Sequence, residues 1–359
     1  MQAKPGDRLA VSSQRAGEPE RDAKAAVIRR FGEPLELTDV PIPTPGHHQV
    51  VIRVEACGLC HTDLAVAAGS WPVKPILPRV PGHEVVGRIA IVGADVHHVR
   101  KGERVALGWL GSTCGRCRAC LSGHEVLCEK RRYTGYDVDG GFAEYVRASA
   151  DFVVPVPSGV DPLDAASLTC AGASAYRAVK IAGAGVTDLV AVFGIGGVGH
   201  CAVQYARATG ASVVAVDIVE EKLAMARELG AQRAVNAATE NPASIMSRMG
   251  GATCALVTTD APEAMVQALD SLRPGGRLVL VAIPSGVALQ LPVHRVVREG
   301  IDVIGSPGPA RVDIADVFSL HQARRTRVVH QARSLRQVNE AMAELAEDKV
   351  PAQLVFEFR

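Results

Sequence analysis

The stretch Asp188-Leu189-Val190-Ala191-Val192-Phe193-Gly194-Ile195-Gly196-Gly197-Val198-Gly199-His200 decides how this chain folds. DLVAVFG is a short apolar run, rich in β-branched residues and closed by glycine, which reads as a buried strand. HCAVQYARATG, which follows, has helical spacing and ends in glycine. Between them Gly194, Gly196, Gly197 and Gly199 make a G-x-G-x-x-G turn. Such glycines permit a tight turn and a close approach of the backbone to a pyrophosphate. The anion then sits at the helix N-terminus, where unpaired N–H groups and the helix dipole favour negative charge. Asp217 ends the next strand, SVVAVD, 18 residues beyond Gly199. A carboxylate there accepts hydrogen bonds from ribose hydroxyls and repels a 2′-phosphate, so NAD is expected over NADP. Lys222, one helical turn into EEKLAMARELG, is a further candidate for the ribose, although an ordinary solvated lysine fits that spacing nearly as well.

Working outward, RAVN, CALVTTD and RLVLVAI continue the strand series downstream, and alternation of strands with helices predicts a parallel sheet wrapped on both faces. Upstream, LDAASLTCAGASAYRAVKIA has helical spacing behind Asp161 and Pro162, a cap and a first-turn proline. These bounds predict a doubly wound dinucleotide-binding domain over residues 159–305. Residues 25–158 are rich in Gly, Pro and short β-branched runs, among them Ala25 to Ile28, Gln49 to Val54, Val85 to Val92 and Arg104 to Leu107. They predict an irregular, mostly antiparallel β domain. After Ile304 the rhythm is lost. A helix over Leu335 to Ala346 and a final strand, LVFEF, predict that 306–359 return to the first domain's sheet. Residues 1–24 are polar and read as a disordered leader, without the apolar core of a secretory signal.

The bulk numbers agree with two domains, since 359 residues exceed one ordinary core. A formal net charge of +1 gives no basic field for nucleic acid or for anionic lipid. No run reaches the roughly 18 apolar residues of a membrane span. Neither nucleic acid nor a membrane is therefore an expected partner. Nine cysteines in a chain read as cytoplasmic argue for metal binding or catalysis rather than disulfides.

Four of those cysteines, Cys114, Cys117, Cys120 and Cys128, follow C-x2-C-x2-C-x7-C in a loop rich in Gly and Arg. Four thiolates at such spacing close a tetrahedral structural zinc site with no position left for a substrate. A disulfide reading needs an oxidising compartment that nothing else supports, and an iron–sulfur cluster fits the long last gap poorly. A second set is dispersed. Cys60 follows a strand, His83 and Glu84 precede another, and Cys170 lies in a small-residue stretch. Two thiolates and an imidazole would hold a zinc ion with one position open, as catalysis requires. Cys57 and Cys60 also form C-x-x-C, but the all-β surroundings do not suit a thioredoxin-like redox site.

In order along the chain, CGLCHTDL, PGHEVVG, CGRCRACLSGHEVLC, TGYDVDGGFAEY, LTCAG and GIGGVGH resemble the medium-chain zinc alcohol dehydrogenases, most closely the bacterial propanol-preferring type. The resemblance covers about residues 25 to 305. It implies a GroES-like catalytic domain and a Rossmann coenzyme domain, with the active site in the cleft between them. It implies an enzyme that passes a hydride between a small alcohol and NAD, using one catalytic and one structural zinc per subunit, and a tetramer or dimer in solution. Carried over by position, Cys60, His83 and Cys170 ligate the catalytic zinc. Glu84 is the carboxylate that approaches the metal during ligand exchange, and Asp63 orients the His83 imidazole. Thr62 bonds to the alcohol and takes its proton, and His61 contacts the cofactor pyrophosphate. Trp71 and Trp109 line a narrow substrate pocket, with core packing as the plainer reading of both. The alternatives are a related zinc reductase for larger alcohols or aldehydes, and a dinucleotide-binding protein without catalysis.

The chain departs from the resemblance in places. Pro307 and Pro309 fix φ and remove N–H donors in a loop expected to meet the nicotinamide, and the run Arg324-Arg325-Thr326-Arg327 is read as a solvated face or a subunit contact. Ala65 stands two residues after Asp63, where similar enzymes carry a histidine that passes the proton to solvent. Ala65→His is therefore expected to change the pH–rate profile of alcohol oxidation, and superimposable profiles for the two forms would refute this.

Overall fold

The computed structural model describes residues 22–284 and 286–358. The chain opens with a hairpin of β1 (Asp22–Val27) and β2 (Glu36–Pro41). Asp22, Ala23 and Lys24 thus belong to a strand rather than to the expected leader, and the rest of that leader lies outside the described residues. There follow β3 (Gln49–Leu59), α1 (His61–Ala68), β4 (Glu84–Val92), β5 (Arg104–Leu107), β6 (Leu110–Ser112), α2 (Arg118–Leu121), β7 (Arg132–Tyr133), β8 (Tyr145–Ser149) and β9 (Val153–Pro155).

A helical stretch comes next. In α3 (Pro162–Ser167) the Asp161 carboxylate accepts from the Leu163 N–H at 2.8 Å, the cap that the sequence signals. The helix then widens into one turn of π-helix, Leu168–Gly172, before α4 (Ala173–Ala182). π turns inside helices gather at functional sites, and this one carries Cys170.

Strand and helix alternate from there: β10 (Leu189–Phe193), α5 (Gly199–Ala208), β11 (Ser212–Asp217), α6 (Glu220–Glu228), β12 (Arg233–Asn236), α7 (Pro242–Arg248), β13 (Ala252–Val257), α8 (Pro262–Asp270), β14 (Leu272–Leu280), α9 (Val293–Glu299) and β15 (Asp302–Gly305). All six strands pair in parallel in the order β12-β11-β10-β13-β14-β15. Numbered from its own first strand this is 3-2-1-4-5-6, the doubly wound dinucleotide-binding order. The strand order reverses beside β10, and the crevice beyond the carboxyl ends there is the general ligand site of such sheets.

The chain closes with α10 (Arg311–Gln322), β16 (His330–Ser334), α11 (Val338–Ala346) and β17 (Gln353–Glu357). As the sequence predicts, β17 joins the first sheet. It pairs antiparallel with β3, with Leu354 opposite Leu59 and Phe356 opposite Cys57, in a seven-stranded sheet β16-β17-β3-β4-β5-β9 with β8 also on β3. α10 does not follow it back. It lies across α4, the π turn and β9, where Asp313, 1% exposed, takes Arg177 at 2.8 Å and Lys180 at 3.0 Å. That buried charge interrupts the apolar stripe of Ile314, Val317 and Phe318, which is why the helix was not legible in the sequence.

One apolar core lies under the first sheet, and α3, α4 and the parallel sheet share another. Among the described residues no helix is long and apolar enough to cross a membrane. Phe356, fully buried and edge-to-face with Phe142 at 5.0 Å, anchors the returning strand. Phe356→Ala is expected to destabilise the fold by about 3–5 kcal/mol, measured by chemical denaturation, and a loss well below 1 kcal/mol would show that β17 is not held this way.

Candidate metal centres and dinucleotide site

Cys114, Cys117, Cys120 and Cys128 converge with their sulfurs all within 4.8 Å of one another. α2 begins directly after Cys117, so one helical turn brings Cys120 back beside it. Cys117 and Cys120 are 3.5 Å apart, Cys114 and Cys128 3.6 Å, and Cys114 and Cys120 4.0 Å. Sulfurs about 2.3 Å from a tetrahedral zinc ion stand about 3.8 Å from each other, whereas a disulfide needs about 2.05 Å. The spacing fits a closed metal site. Backbone N–H groups of Arg116 and Cys117 bring the Cys114 thiol down to about 6, so a thiolate ligand is available near neutrality. Glu125, in the same loop, is gripped by the Arg311 guanidinium at 2.6–3.2 Å, which ties the loop to the start of α10.

The second set also converges. One ligand atom from each of Cys60, His83, Glu84 and Cys170 lies within 4.8 Å of the others. They come from the end of β3, the start of β4 and the π turn. His83 and Glu84 are 1% and 0% exposed, while the two thiols are half-buried, so the cluster is sealed on one side and open on the other. Asp63 organises it. One carboxylate oxygen accepts from the Cys60 N–H at 3.0 Å. The other takes the Gly82 N–H at 3.1 Å and faces His83 Nδ1 at 3.2 Å, leaving Nε2 free to bind a metal. Burial alone would lower the His83 pKa, and the Asp63 carboxylate outweighs it, so the net direction is up. Interaction with Cys170 draws the Cys60 thiol well down.

Glu84 enters only because β3 has no side chain at Gly58, where a Cβ would lie 1.8 Å from Glu84 Oε2. That oxygen accepts from the Gln353 amide at 2.6 Å, and Glu84 Oε1 is buried without a hydrogen-bond partner. An unpaired buried carboxylate oxygen beside two thiols and an imidazole is a donor set that fits a zinc ion.

The glycine turn lies at the end of β10. Gly194 has φ +88°, and a Cβ on Gly199 would stand 1.8 Å from the Gly194 carbonyl oxygen, so both positions require glycine. A Cβ on Gly197 would stand 2.3 Å from Gln353 Oε1, whereas above Gly196 the space is open. Asp217 braces the turn. Its carboxylate accepts from Ile195 N–H at 2.6 Å, Ile218 N–H at 2.8 Å and Val219 N–H at 3.0 Å. Lys222, expected near the ribose, is buried and paired with Asp348 at 2.5 Å. His61 is exposed and Thr62 half-buried on the first turn of α1, directly after Cys60. Trp109 meets the His83 ring edge-on at 5.0 Å, and Trp71 meets Trp109 at 6.0 Å. Pro309 is buried at the approach to α10, and of the arginine run only Thr326 is buried, while Arg327 pairs with Glu228 at 3.1 Å.

Two family models match this chain, the alcohol dehydrogenase GroES-like domain over residues 46–158 and the zinc-binding dehydrogenase over residues 197–323. An alcohol dehydrogenase of Geobacillus stearothermophilus is 41% identical over 333 residues, covering 92% of this chain and 98% of that one. The chain belongs to the zinc-dependent alcohol dehydrogenase family. The alcohol dehydrogenase of Moraxella sp. (strain TAE123) is 42% identical over 93% of this chain and 99% of its own length. The crystal structure of the Aeropyrum pernix alcohol dehydrogenase superposes with a TM-score of 0.86 at 32% identity, over 93% and 100% of the two chains. The acetophenone reductase of Geotrichum candidum, solved in complex with NAD, gives 0.86 at 28% identity over 96% and 99%. As a member of this family the chain is a zinc-dependent alcohol oxidoreductase, built from a GroES-like domain and a Rossmann domain.

Sequence reasoning missed several residues around these alcohol dehydrogenase sites. Gln353 bridges Glu84 and the glycine turn, and Thr258 donates to the Gly194 carbonyl at 2.6 Å. His200, the last residue of the glycine motif, is fully buried. Its Nδ1 lies 3.0 Å from the Gly196 carbonyl and its Nε2 accepts from Val329 N–H at 3.3 Å. Only a neutral ring does both, and burial pushes its pKa down to about 4. A histidine in the unfolded chain takes up its proton near 6.5. Between those values the unfolded state binds a proton that the folded state does not, so stability is lost as the pH falls through that window. Denaturation between about pH 7 and pH 5 is expected to show wild type losing up to about 1.4 kcal/mol per pH unit more than His200→Asn, and parallel slopes would contradict it.

Proposed function

We propose that this enzyme interconverts small primary or secondary alcohols and the corresponding aldehydes or ketones with NAD. In this reading Cys60, His83 and Cys170 hold the catalytic zinc, with Glu84 beside it, and Cys114, Cys117, Cys120 and Cys128 hold the structural one. The observation that carries it is the convergence of two complete donor sets, one closed and one open on its thiol side, the second beside a dinucleotide turn.

A zinc ion so held makes an alcohol hydroxyl more acidic, and NAD provides the hydride acceptor. The chain's residues do the rest. Asp63 fixes the His83 ring through Nδ1, so that Nε2 points to the metal position. Thr62 Oγ1, two residues after Cys60, would relay the alcohol's proton, accepting it while giving up its own to solvent water. His61 and the glycine turn hold the pyrophosphate, and Gly196 offers the open backbone surface for it. The Asp217 carboxylate repels a 2′-phosphate, and Lys222 reaches the ribose once released from Asp348. Trp71 and Trp109 wall the substrate pocket and admit a slender apolar chain.

The domain bounds 25–158, 159–305 and 306–359 belong to the same reading, with the cleft between the first two as the active site. So does a cytoplasmic setting, supported by six cysteine thiols that must stay reduced and one histidine that must stay unprotonated to bind metal. A homo-oligomer, tetramer or dimer, is supported by β15, an edge strand beside exposed Val293 and Val297.

The test is NADH formation from 1-propanol, with NADP in parallel and a chelated sample as control. Turnover with NAD that is at least tenfold faster than with NADP, and lost on chelation, is expected. Equal rates with both cofactors would remove the role given to Asp217, and turnover that survives complete metal removal would remove the proposed chemistry.

A further inference from the structure

The wall of the pocket holds a residue that the reading above leaves without a role. Tyr136 comes from TGYDVDGGF, and it is 8% exposed. Its ring lies 5.5 Å from Trp71 and 5.9 Å from Trp109, and 6.5 Å from Tyr133. Tyr133 in turn stacks on Trp109 at 4.5 Å with 17° between the planes. The four rings and His83 make one aromatic box against the metal cluster. Its two tryptophans are held very differently. Trp109 has the parallel Tyr133 ring on one side and the edge of His83 on another, and it directly precedes β6. Trp71 sits on a long connection between α1 and β4, and its buried indole N–H has no hydrogen-bond partner. No polar contact of its own therefore fixes that ring.

What fixes the connection is also sparse. It is tied at its far end by Arg79, which exchanges backbone hydrogen bonds with Ile28 and pairs with Asp139 at 2.8 Å. Between Trp71 and Pro78, among the described residues, the one hydrogen bond is donated by the Tyr136 hydroxyl to the Val73 carbonyl. Lys74 over the Phe31 ring at 5.2 Å adds a cation–π contact. Val73 and Ile76 are 73% and 81% exposed, and the loop's inward packing rests on Trp71, Pro75 and Leu77, so the Tyr136 tie acts on the exposed stretch between Trp71 and Pro75.

We propose that Tyr136 determines substrate specificity, by pinning the Trp71 loop through Val73 and so setting the width of the pocket. It is a positioning residue: its ring packs against Trp71 while its hydroxyl holds the backbone two residues further on. The inference rests on Trp71 and Trp109 being pocket walls, as proposed above. The ligand class that this favours is the unbranched short primary alcohols, because four rings held at a fixed spacing disfavour a longer or branched chain.

Tyr136→Phe keeps the ring and removes only the tie. On protein of equal zinc content, kcat/KM is measured for alcohols from ethanol to 1-hexanol. The ratio of 1-hexanol to 1-propanol is expected to rise about fivefold, the factor that one ordinary hydrogen bond is worth. A role in stability alone would lower both rates together and leave that ratio unchanged, and an unchanged ratio overturns the proposal. Intrinsic fluorescence gives a readout independent of turnover, because Trp71 and Trp109 are the only two tryptophans in the chain. Release of the loop exposes Trp71 and shifts the emission to the red, whereas identical spectra overturn the pinning. If wild type oxidises no alcohol, the substrate reading fails by itself and the spectra still decide whether Tyr136 holds the loop.

Discussion

Two half-buried thiols, a buried imidazole and a buried carboxylate gathered within 4.8 Å of one another form the constraint around which the surrounding elements are arranged. An uncompensated charge inside a protein costs several kcal/mol, so the members of the cluster set one another's ionisation. Interaction with Cys170 pulls the Cys60 thiol down, and burial pushes the Glu84 carboxyl up. The surrounding structure yields to this cluster. β3 gives up a side chain at Gly58 to admit Glu84, and Gly82 takes a left-handed turn with φ +97° beside Phe142. The helix leading to α4 widens into a π turn around Cys170. Asp63 ends up buried with its oxygens committed to Cys60, Gly82 and His83.

The same cluster ties the two sheets together. Its four donor residues come from β3 and β4 on one side and from the helical entry to the parallel sheet on the other, so an ion held there would cross-link them. Gln353 on the returning strand adds a second link, with its amide on Glu84 and its oxygen against Gly197. Arg311 adds a third, through Glu125, between α10 and the four-cysteine loop. The glycine turn, the Cys60–His83–Glu84–Cys170 cluster and the four-cysteine loop are therefore each tied to the C-terminal segment by side-chain contacts.

Local signals made much of this legible in the sequence. The glycine turn and the strand–helix alternation gave the parallel sheet, because a 2-period or 3.6-period pattern is a property of short windows. The closely spaced cysteines needed only a loop to meet. The dispersed donors Cys60, His83, Glu84 and Cys170 were recognisable through resemblance, since nothing in their spacing tells which strands pair. The contacts that spacing cannot express stayed hidden. Asp313 inside α10 looks like a surface residue until Arg177 and Lys180 are placed beside it. Gln353, His200 and Tyr136 act across 269, 129 and 63 positions of sequence. Lys222 carries the right spacing for a ribose contact, and the residue that holds it, Asp348, lies 126 positions away.

The most direct test of this account is the metal count of the intact protein by native mass spectrometry, on wild type, Cys60→Ser and Cys120→Ser. Two zinc ions per subunit are predicted for wild type, with one lost in each variant and the other retained. A single ion in wild type, or a variant that keeps both, would contradict the assignment of two separate metal centres to these residues.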